Sequence, residues 1–189
     1  MNRGYHEIKE HGKREFPFNI YPCSIPVDFS HVALHWHEEM EIIAVKKGKG
    51  RITVDTVSYP VEEGDILAVF PGQLHAISCG NGERMEYENI IFRLSMLMGD
   101  NGDGCTVHFL KPLQEGQAKN PVLIQRNQPD HEVFGKVIQE LDRFSEIRGN
   151  GYQLAVKGQL FLFLYYAYGR GILFTEKKPG HAREKIKGI

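Results

Sequence analysis

The stretch from residue 16 to residue 93 constrains the fold more than any other, because it is a series of short apolar or alternating runs separated by turn residues. The run DILAVF, for example, is followed at once by Pro71 and Gly72, which are typical of turns between strands. Such spacing favours antiparallel strands. Strands this short cannot bury their apolar faces alone, so we predict a mainly β domain, a small antiparallel barrel followed by two C-terminal helices.

Two details of the strand pattern are predicted from turn residues and residue type. We interpret GKG at 48–50 as a turn that ends one strand, over 41–47, and precedes another, over 51–54. We expect HFL at 108–110 to form the last strand of the barrel.

The apolar period changes to a helical one after residue 128. Pro129 and Asp130 provide a start signal for the first helix, and Gly149 provides a stop signal. Its apolar positions are Val133, Val137, Ile138, Leu141 and Phe144. A second helix is expected over 150–168. We therefore divide the chain into an N-terminal arm (1–15), a barrel (16–128) and a helical segment with a linker (129–189).

The second predicted helix ends in LFLFLYYAY, which is apolar on nearly every face. A helix of this kind must be covered on all sides. One alternative is a wholly internal core helix; the other is a helix whose outer side contacts a second copy of the chain. For the second alternative we expect Phe161, Tyr165 and Tyr168 to lie near a two-fold contact, which makes the protein a homodimer.

Composition excludes several classes of protein. The 23 Lys and Arg residues are balanced by 24 Asp and Glu residues, without the basic excess typical of a nucleic-acid-binding module. The longest apolar run, 160–168, falls well short of the roughly 18 residues that would suggest a membrane span. Three cysteines without a CxxC pair, and an N-terminus without an apolar signal segment, favour a soluble, cytoplasmic protein with reduced thiols.

The segment HWHEEME at 35–41 carries the most specific chemical signal. Alternate residues of a strand share a face, so His35 and His37 can direct both imidazoles at one point. Glu41 has the same parity, but four residues of straight strand span about 13 Å, so it can join them only if the chain bends at 38–40. His75 can supply a third imidazole from a later strand. Three imidazoles and a carboxylate suit a divalent ion such as Zn, Ni, Fe or Mn.

Other polar residues receive weaker assignments. Glu39 shares the parity of the histidines, and we expect either a contact with a ligand or, more simply, a solvated carboxylate at the rim. Tyr87 and Phe92 lie on one predicted strand and are candidates to line the cavity. The histidines that lack partner spacing are expected to be surface or hydrogen-bonded core residues; they are His6, His11, His31, His108, His131 and His181.

The spacing HxHxxxE followed by six residues and Gly48 resembles the first motif of the cupin superfamily, and 64–75 resembles the second. The second motif departs by reading PG for PxG, with one extra residue before the proline, and Cys79 stands where the motif has asparagine. Phe29 replaces the leading glycine of the first motif.

The longer segment HWHEEMEIIAVKKGKGRITVDTVSYPVEEGDILAVFPGQLHAI resembles the N-terminal sensor domain of AraC-type transcription regulators, as do VHFLKPL and GYQLAVKGQLFLFL further on. The resemblance implies an effector-sensing and dimerisation domain that binds a small molecule, a sugar or related metabolite. It also implies that DNA is contacted only through a domain absent from this chain. The residues expected to contact the effector are His35, His37, Glu39, His75, Tyr87 and Phe92.

A second class of function uses the same residues. A metal held by three histidines keeps an open coordination position, so the chain is alternatively a metal-dependent cupin enzyme, such as a dioxygenase, an isomerase or a sugar-modifying enzyme. The two apolar helices and the resemblance to a regulator favour a binding module. We therefore expect no enzyme activity and assign no catalytic residue.

Overall fold

The computed structural model describes residues 5–100, 102–172 and 174. Residues 175–189 of the predicted helical segment and linker, His181 among them, and the first four residues of the predicted arm lie outside these ranges. The strands are β1 (Phe18–Ile25), β2 (Val32–His35), β3 (Met40–Val54), β4 (Val57–Glu62), β5 (Ile66–Val69), β6 (His75–Ser78), β7 (Met85–Phe92) and β8 (Val122–Ile124). The helices are α1 (Lys111–Gln114), α2 (His131–Ile147) and α3 (Tyr152–Gly169), with a 3-10 turn at Leu94–Leu97 and a π-helical turn at Thr106–Leu110.

The strands form two facing antiparallel sheets that share β3. One sheet has the order β1-β7-β3-β5-β8, and the other joins β2, β6 and β4 around the second half of β3. The predicted mainly β fold of antiparallel strands, followed by C-terminal helices, is therefore confirmed. None of the helices in the described part of the chain is both long and apolar enough to cross a membrane.

The prediction of a turn at 48–50 is wrong, because these residues lie within strand β3. The strand runs unbroken from Met40 to Val54 and passes from one sheet to the other near Gly48. Gly48 has a φ of +78°, and a β-carbon there would collide with the carbonyl of Arg84 on the neighbouring chain segment. Glycine is therefore needed at this position to let one strand serve two sheets, and not to reverse the chain.

The predicted strand at 108–110 is also wrong, because these residues lie in the π-helical turn Thr106–Leu110. The carboxylate of Asp103 accepts hydrogen bonds from the backbone N–H of Thr106 (2.8 Å) and from its hydroxyl (2.7 Å). A side chain that caps a first turn in this way favours helix over strand. The last strand is instead Val122–Ile124, which pairs with β5.

Two apolar cores follow from strand alternation. Ile43, Val45 and Ile77 belong to the core between the sheets, whereas Ile42 and Ala44 face the helices. In α2 the predicted apolar positions face the second core: Val137, Ile138 and Leu141 are buried, and Val133 and Phe144 pack against them. The helix begins after Asp130, as predicted, and ends at Ile147, where Arg148 adopts the left-handed conformation one residue before the predicted glycine.

Candidate functional site

The site is built where β2, β3 and β6 meet at one end of the space between the sheets. His35 is the last residue of β2 and is paired across the sheet with His75, the first residue of β6. Glu41 is the second residue of β3, on the same face as the inter-sheet core residues Ile43 and Val45. His37 lies between β2 and β3, and its carbonyl accepts a hydrogen bond from the N–H of Gly72 (2.9 Å).

The bend that a four-residue site requires is present. The chain turns at residues 38–39, between β2 and β3, and brings Glu41 back to His37. Glu41 Oε2 lies 2.9 Å from His37 Nε2 and 3.0 Å from His75 Nε2. The ring of His35 lies 4.2 Å from that of His75, centroid to centroid. One potential ligand atom from each of these four residues lies within 4.8 Å of the other three.

The hydrogen bonds of the three imidazoles leave their Nε2 atoms able to bind a cation. In each ring Nδ1 donates to a backbone carbonyl two residues away: Ala33 (2.9 Å) for His35, Glu39 (3.1 Å) for His37 and Gln73 (3.0 Å) for His75. A neutral imidazole whose only proton is on Nδ1 keeps a lone pair on Nε2. These carbonyls fix both the tautomer and the ring orientation, as the outer partners of metal-binding histidines do.

The contact between Glu41 and the imidazoles also favours a cation between them. A carboxylate oxygen and a lone pair of Nε2 are both acceptors, so a proton or a metal ion must lie between them. His37, Glu41 and His75 are almost completely buried, and a buried charge is stable only when it is paired or bound to a metal. The residues therefore fit a divalent cation with three nitrogen ligands and one oxygen ligand.

The charges of the site shift its pKa values in opposite directions. Burial alone would raise the pKa of Glu41, but His75 and His37 hold it well below its usual value. Burial would likewise lower the pKa of His75, but the carboxylate of Glu41 raises it above the usual value. The pKa of His35 is lowered, chiefly by burial and also by the neighbouring His75. The site thus favours an ionised carboxylate beside its imidazoles.

Glu39 lies behind His37 and is not a solvated rim residue. It is 3% exposed, and its carboxylate lies 3.7 Å from His37 Nδ1. Arg93 Nε donates a hydrogen bond of 2.8 Å to Glu39, and this bond raises the pKa of the arginine. Glu39 therefore contacts the side of His37 that faces away from Glu41.

Tyr87 and Phe92 lie on opposite faces of β7. Tyr87 is buried between the sheets, and its hydroxyl makes no hydrogen bond of normal geometry with the described residues. Burial is the main cause that raises its pKa. Phe92 packs in the core between the first sheet and the helices, so the prediction that it lines the barrel cavity is wrong. Because Ile90 and Ile91 are adjacent and both apolar, the sequence did not show which residues share a face of β7.

Sequence reasoning missed two residues of the N-terminal segment. Glu7 Oε2 lies 3.6 Å from His35 Nε2 and 3.8 Å from His11 Nε2. His11 is 5% exposed, and its Nδ1 lies 3.2 Å from the hydroxyl of Tyr21. Neither residue stands at a spacing that links it to the histidines of the barrel, so only the folded chain brings them together.

Two clefts lie on either side of Arg93. The first, of about 420 Å³, adjoins the cluster and is bordered by His37, Gly72 and Arg93. The second, of about 260 Å³, is bordered by His11 and the cationic side chains Lys13, Arg14 and Arg93, but by no residue of the cluster. The first is within the size range of small-molecule sites, and both carry several polar groups.

The outer face of α3 is apolar and open, so the helix is not wholly internal. Its inner face is buried, with Phe163 packed edge-on against Phe134 of α2 at 5.3 Å between ring centroids. Phe161 and Tyr165 are 40% and 71% exposed. Tyr168 is partly covered by its own chain, because its hydroxyl donates a hydrogen bond of 2.6 Å to the carbonyl of Phe109.

The family model of the AraC-like ligand binding domain matches residues 26–164. The uncharacterized HTH-type transcriptional regulator YdeC of Bacillus subtilis (strain 168) is 27% identical over 88 residues, which cover 46% of this chain and 30% of that protein. The chain therefore matches less than a third of that regulator's length.

Solved structures of barrel proteins are also similar. A cupin 2 conserved barrel domain protein from Salinispora arenicola CNS-205 is 22% identical, with a TM-score of 0.39 over 43% of this chain and 68% of that chain. A predicted oxalate decarboxylase from Thermotoga maritima is 25% identical, with a TM-score of 0.37 over 39% of this chain and 64% of that chain.

Proposed function

The chain belongs to the AraC-like ligand-binding domain family, and we propose that it is the effector-sensing and dimerisation part of a transcription regulator. The effector is a small molecule, a sugar or related metabolite, that binds beside the His35, His37, Glu41 and His75 cluster. The observation that carries this proposal is the convergence of three preoriented Nε2 atoms and a buried carboxylate next to a polar cleft bordered by His37. DNA binding belongs to a domain outside this chain, and the regulator acts in the cytoplasm.

The proposal includes a divalent metal, Zn, Ni, Fe or Mn, held by His35, His37, Glu41 and His75. Such an ion, when bound, is a Lewis acid that attracts an oxygen atom of the effector. Glu39 supports His37 from behind, while Arg93 stands between Glu39 and the clefts. Arg93 can donate hydrogen bonds to hydroxyl or carboxylate oxygens of the effector. Tyr87, which is buried between the sheets, is also proposed to contact the effector.

The helical segment is proposed to form the dimer contact, with residues 16–128 as the sensing barrel. Exposed aromatic surface is the supporting observation, since Phe161 and Tyr165 border an apolar cleft of about 200 Å³ together with Phe109 and Leu164. Contiguous apolar surface of this kind marks a contact with another protein. Tyr168 lies at the edge of the same cleft and anchors Phe109.

A metal-dependent cupin enzyme is the second candidate function, because the same cluster lies beside an open cleft that could admit a substrate. The similarity to a regulator favours the sensing role. Turnover by the metal-loaded chain is the property that separates the two candidates.

The test is a panel of sugars and related metabolites added to the metal-loaded chain, with thermal unfolding as the readout. A ligand present at 100 times its Kd should stabilise the folded chain by about 2.7 kcal/mol. His37→Ala should lose this response. The control variant His31→Ala should keep it, because His31 is exposed and lies outside the cluster, with a hydrogen bond to its neighbour Ser30. Absence of any stabilising ligand, together with oxygen uptake or substrate turnover, would favour the enzyme instead.

A further inference from the structure

Lys13 and Arg14 lie in a tight turn that is fixed against the start of β1. The N–H of Lys13 donates to the carbonyl of Phe16 (3.2 Å), and the N–H of Phe16 donates to the carbonyl of Lys13 (2.9 Å), so Arg14 lies at the tip of the turn. Gly12, just before the turn, has a φ of +82°, and a β-carbon there would lie 2.6 Å from the backbone nitrogen of Phe18. This close approach, which only glycine allows, fixes where the two cationic residues lie.

Arg93 is attached to the same region through its backbone and its side chain. Its N–H donates to the carbonyl of Pro17 (3.0 Å), which lies between the turn and β1. Its Nε donates to the buried carboxylate of Glu39 (2.8 Å), and this bond uses one of the five N–H donors of the guanidinium. The two terminal nitrogens make no hydrogen bond with the residues that the structure describes, so they remain able to bind a ligand.

The side chains of Lys13, Arg14 and Arg93 border one cleft of about 260 Å³, here called the cationic cleft. Lys13 and Arg14 are exposed and form no ion pair within the described ranges. Glu10 is the one acidic residue among the described residues on the border, so positive charge is in excess. Like charges around one space repel each other, and an anion bound among them removes the repulsion. Phosphate and carboxylate groups are the anions that a guanidinium binds best.

The cationic cleft lies next to the cleft beside His37. Arg93 and Ser95 border both of them. A ligand that reaches past Arg93 can therefore place one part beside His37 and an anionic group among the three cations. The cationic cleft is smaller than the roughly 300–1,000 Å³ typical of sites for whole small molecules, which suits one group of a ligand.

We propose that the cationic cleft is an anion-binding subsite that holds a phosphate or carboxylate group of the effector. The inference rests on the proposed function for the remainder of the effector, and it narrows the effector to an acidic metabolite, such as a sugar phosphate or a sugar acid. Arg93 binds the anion with its terminal nitrogens, Lys13 and Arg14 neutralise its charge, and the hydroxyl of Ser95 can donate a further hydrogen bond.

Sodium phosphate and sodium malonate are the probes, because they carry the two candidate groups. Each is titrated at constant ionic strength into the isotope-labelled chain, and the NMR signals of the backbone amides at 12–14 report binding. The test variant is Lys13→Gln/Arg14→Gln. The matched control is Lys47→Gln/Arg84→Gln, which also removes one exposed lysine and one exposed arginine, but outside the cleft.

We expect at least one of the two anions to bind the wild type, and the test variant to bind it at least about 10-fold more weakly, because two charged contacts are lost. The control should match the wild type. The probe that binds more tightly identifies the group as phosphate or carboxylate. His37→Ala should keep the response, because His37 does not border the cationic cleft.

Three results would overturn the inference. The first is that neither anion binds the wild type, and the second is that the test variant binds as tightly as the control. The third is that His37→Ala abolishes binding, because the anion then lies at the histidine cluster. All three leave the proposed function standing, since its test is the His37-dependent response to sugars and related metabolites. If the anions bind as expected but no such metabolite stabilises the chain, the anion-binding cleft stands and the proposed function fails.

Discussion

The Nδ1 atoms of His35, His37 and His75 each bond to a carbonyl two residues earlier or later in the chain. Strand parity predicted that the imidazoles would converge, since alternate residues share a face. The same parity could not show that Glu41 joins them, because that depends on a bend at 38–39 that no local residue type requires. Glu7 was beyond sequence reasoning, because its contact with His35 comes from backbone pairing with Trp36.

Gly48 provides a residue-scale prediction. Gly48→Ala should lower the free energy of unfolding by about 2 kcal/mol or more, because the left-handed conformation is strained for alanine and the β-carbon meets the Arg84 carbonyl. The measurement is urea denaturation. Gly135→Ala is the control and should be neutral or stabilising, because Gly135 lies inside α2 with room for a methyl group. Equal stability of the wild type and Gly48→Ala would contradict this account of β3.

At the scale of secondary-structure elements, the sequence predicted which elements form better than how they are connected. Helical spacing located α2 and α3 to within two residues, because a long amphipathic or apolar segment dominates its own structure. Short runs gave less certain results. HFL at 108–110 has strand-like composition, yet the carboxylate of Asp103 caps the turn that contains it. The last strand, Val122–Ile124, is only three residues long and depends on pairing with β5.

Arg170 joins three elements, and its removal should loosen them. The guanidinium donates two hydrogen bonds to Asp130 at the start of α2 (2.7 and 2.8 Å) and one to the carbonyl of Leu123 in β8 (2.9 Å). Arg170→Ala should reduce the free energy of unfolding by about 1–2 kcal/mol at pH 7. The exposed pair formed by Arg143 and Glu140 supplies a control, and Arg143→Ala should change stability little.

The contribution of Arg170 should depend on pH. Its hydrogen bonds lower the pKa of Asp130 in the folded state, so the folded chain favours the ionised carboxylate more than the unfolded chain does. The resulting stability is present above the unfolded pKa, about 3.9, and is lost as the pH falls through the folded value. Urea denaturation of the wild type and Arg170→Ala from pH 7 to pH 3 should show their difference decreasing in acid. A difference that grows in acid would contradict this.

At the scale of the whole molecule, the described residues form two closed apolar cores and leave an apolar face of α3 open. The space between the sheets and the layer between the first sheet and the helices are closed. The outer face of α3 remains open, with Leu154, Phe161, Leu162 and Tyr165 exposed. The sequence predicted an apolar helix that needs cover on both sides, but only the structure shows which side its own chain covers.

The open face should be the dimer contact. Tyr165→Glu should convert a dimer into a monomer at micromolar concentration, because a charge is costly inside an apolar contact. Sedimentation velocity is the measurement. Val27→Glu is the control: Val27 is 73% exposed in the turn after β1, away from α3, so this variant should remain dimeric. A monomeric wild type, or a Tyr165→Glu variant that stays dimeric, would disprove the proposed contact.

We propose that four side chains hold a divalent ion where the effector binds. Anomalous diffraction, measured above the absorption edge of the added metal, is the decisive measurement. We expect one strong peak within about 2.0–2.3 Å of the Nε2 atoms of His35, His37 and His75 and of a Glu41 oxygen. Metal-soaked crystals with no peak among these atoms, or with the three imidazoles turned away from one another, would contradict it.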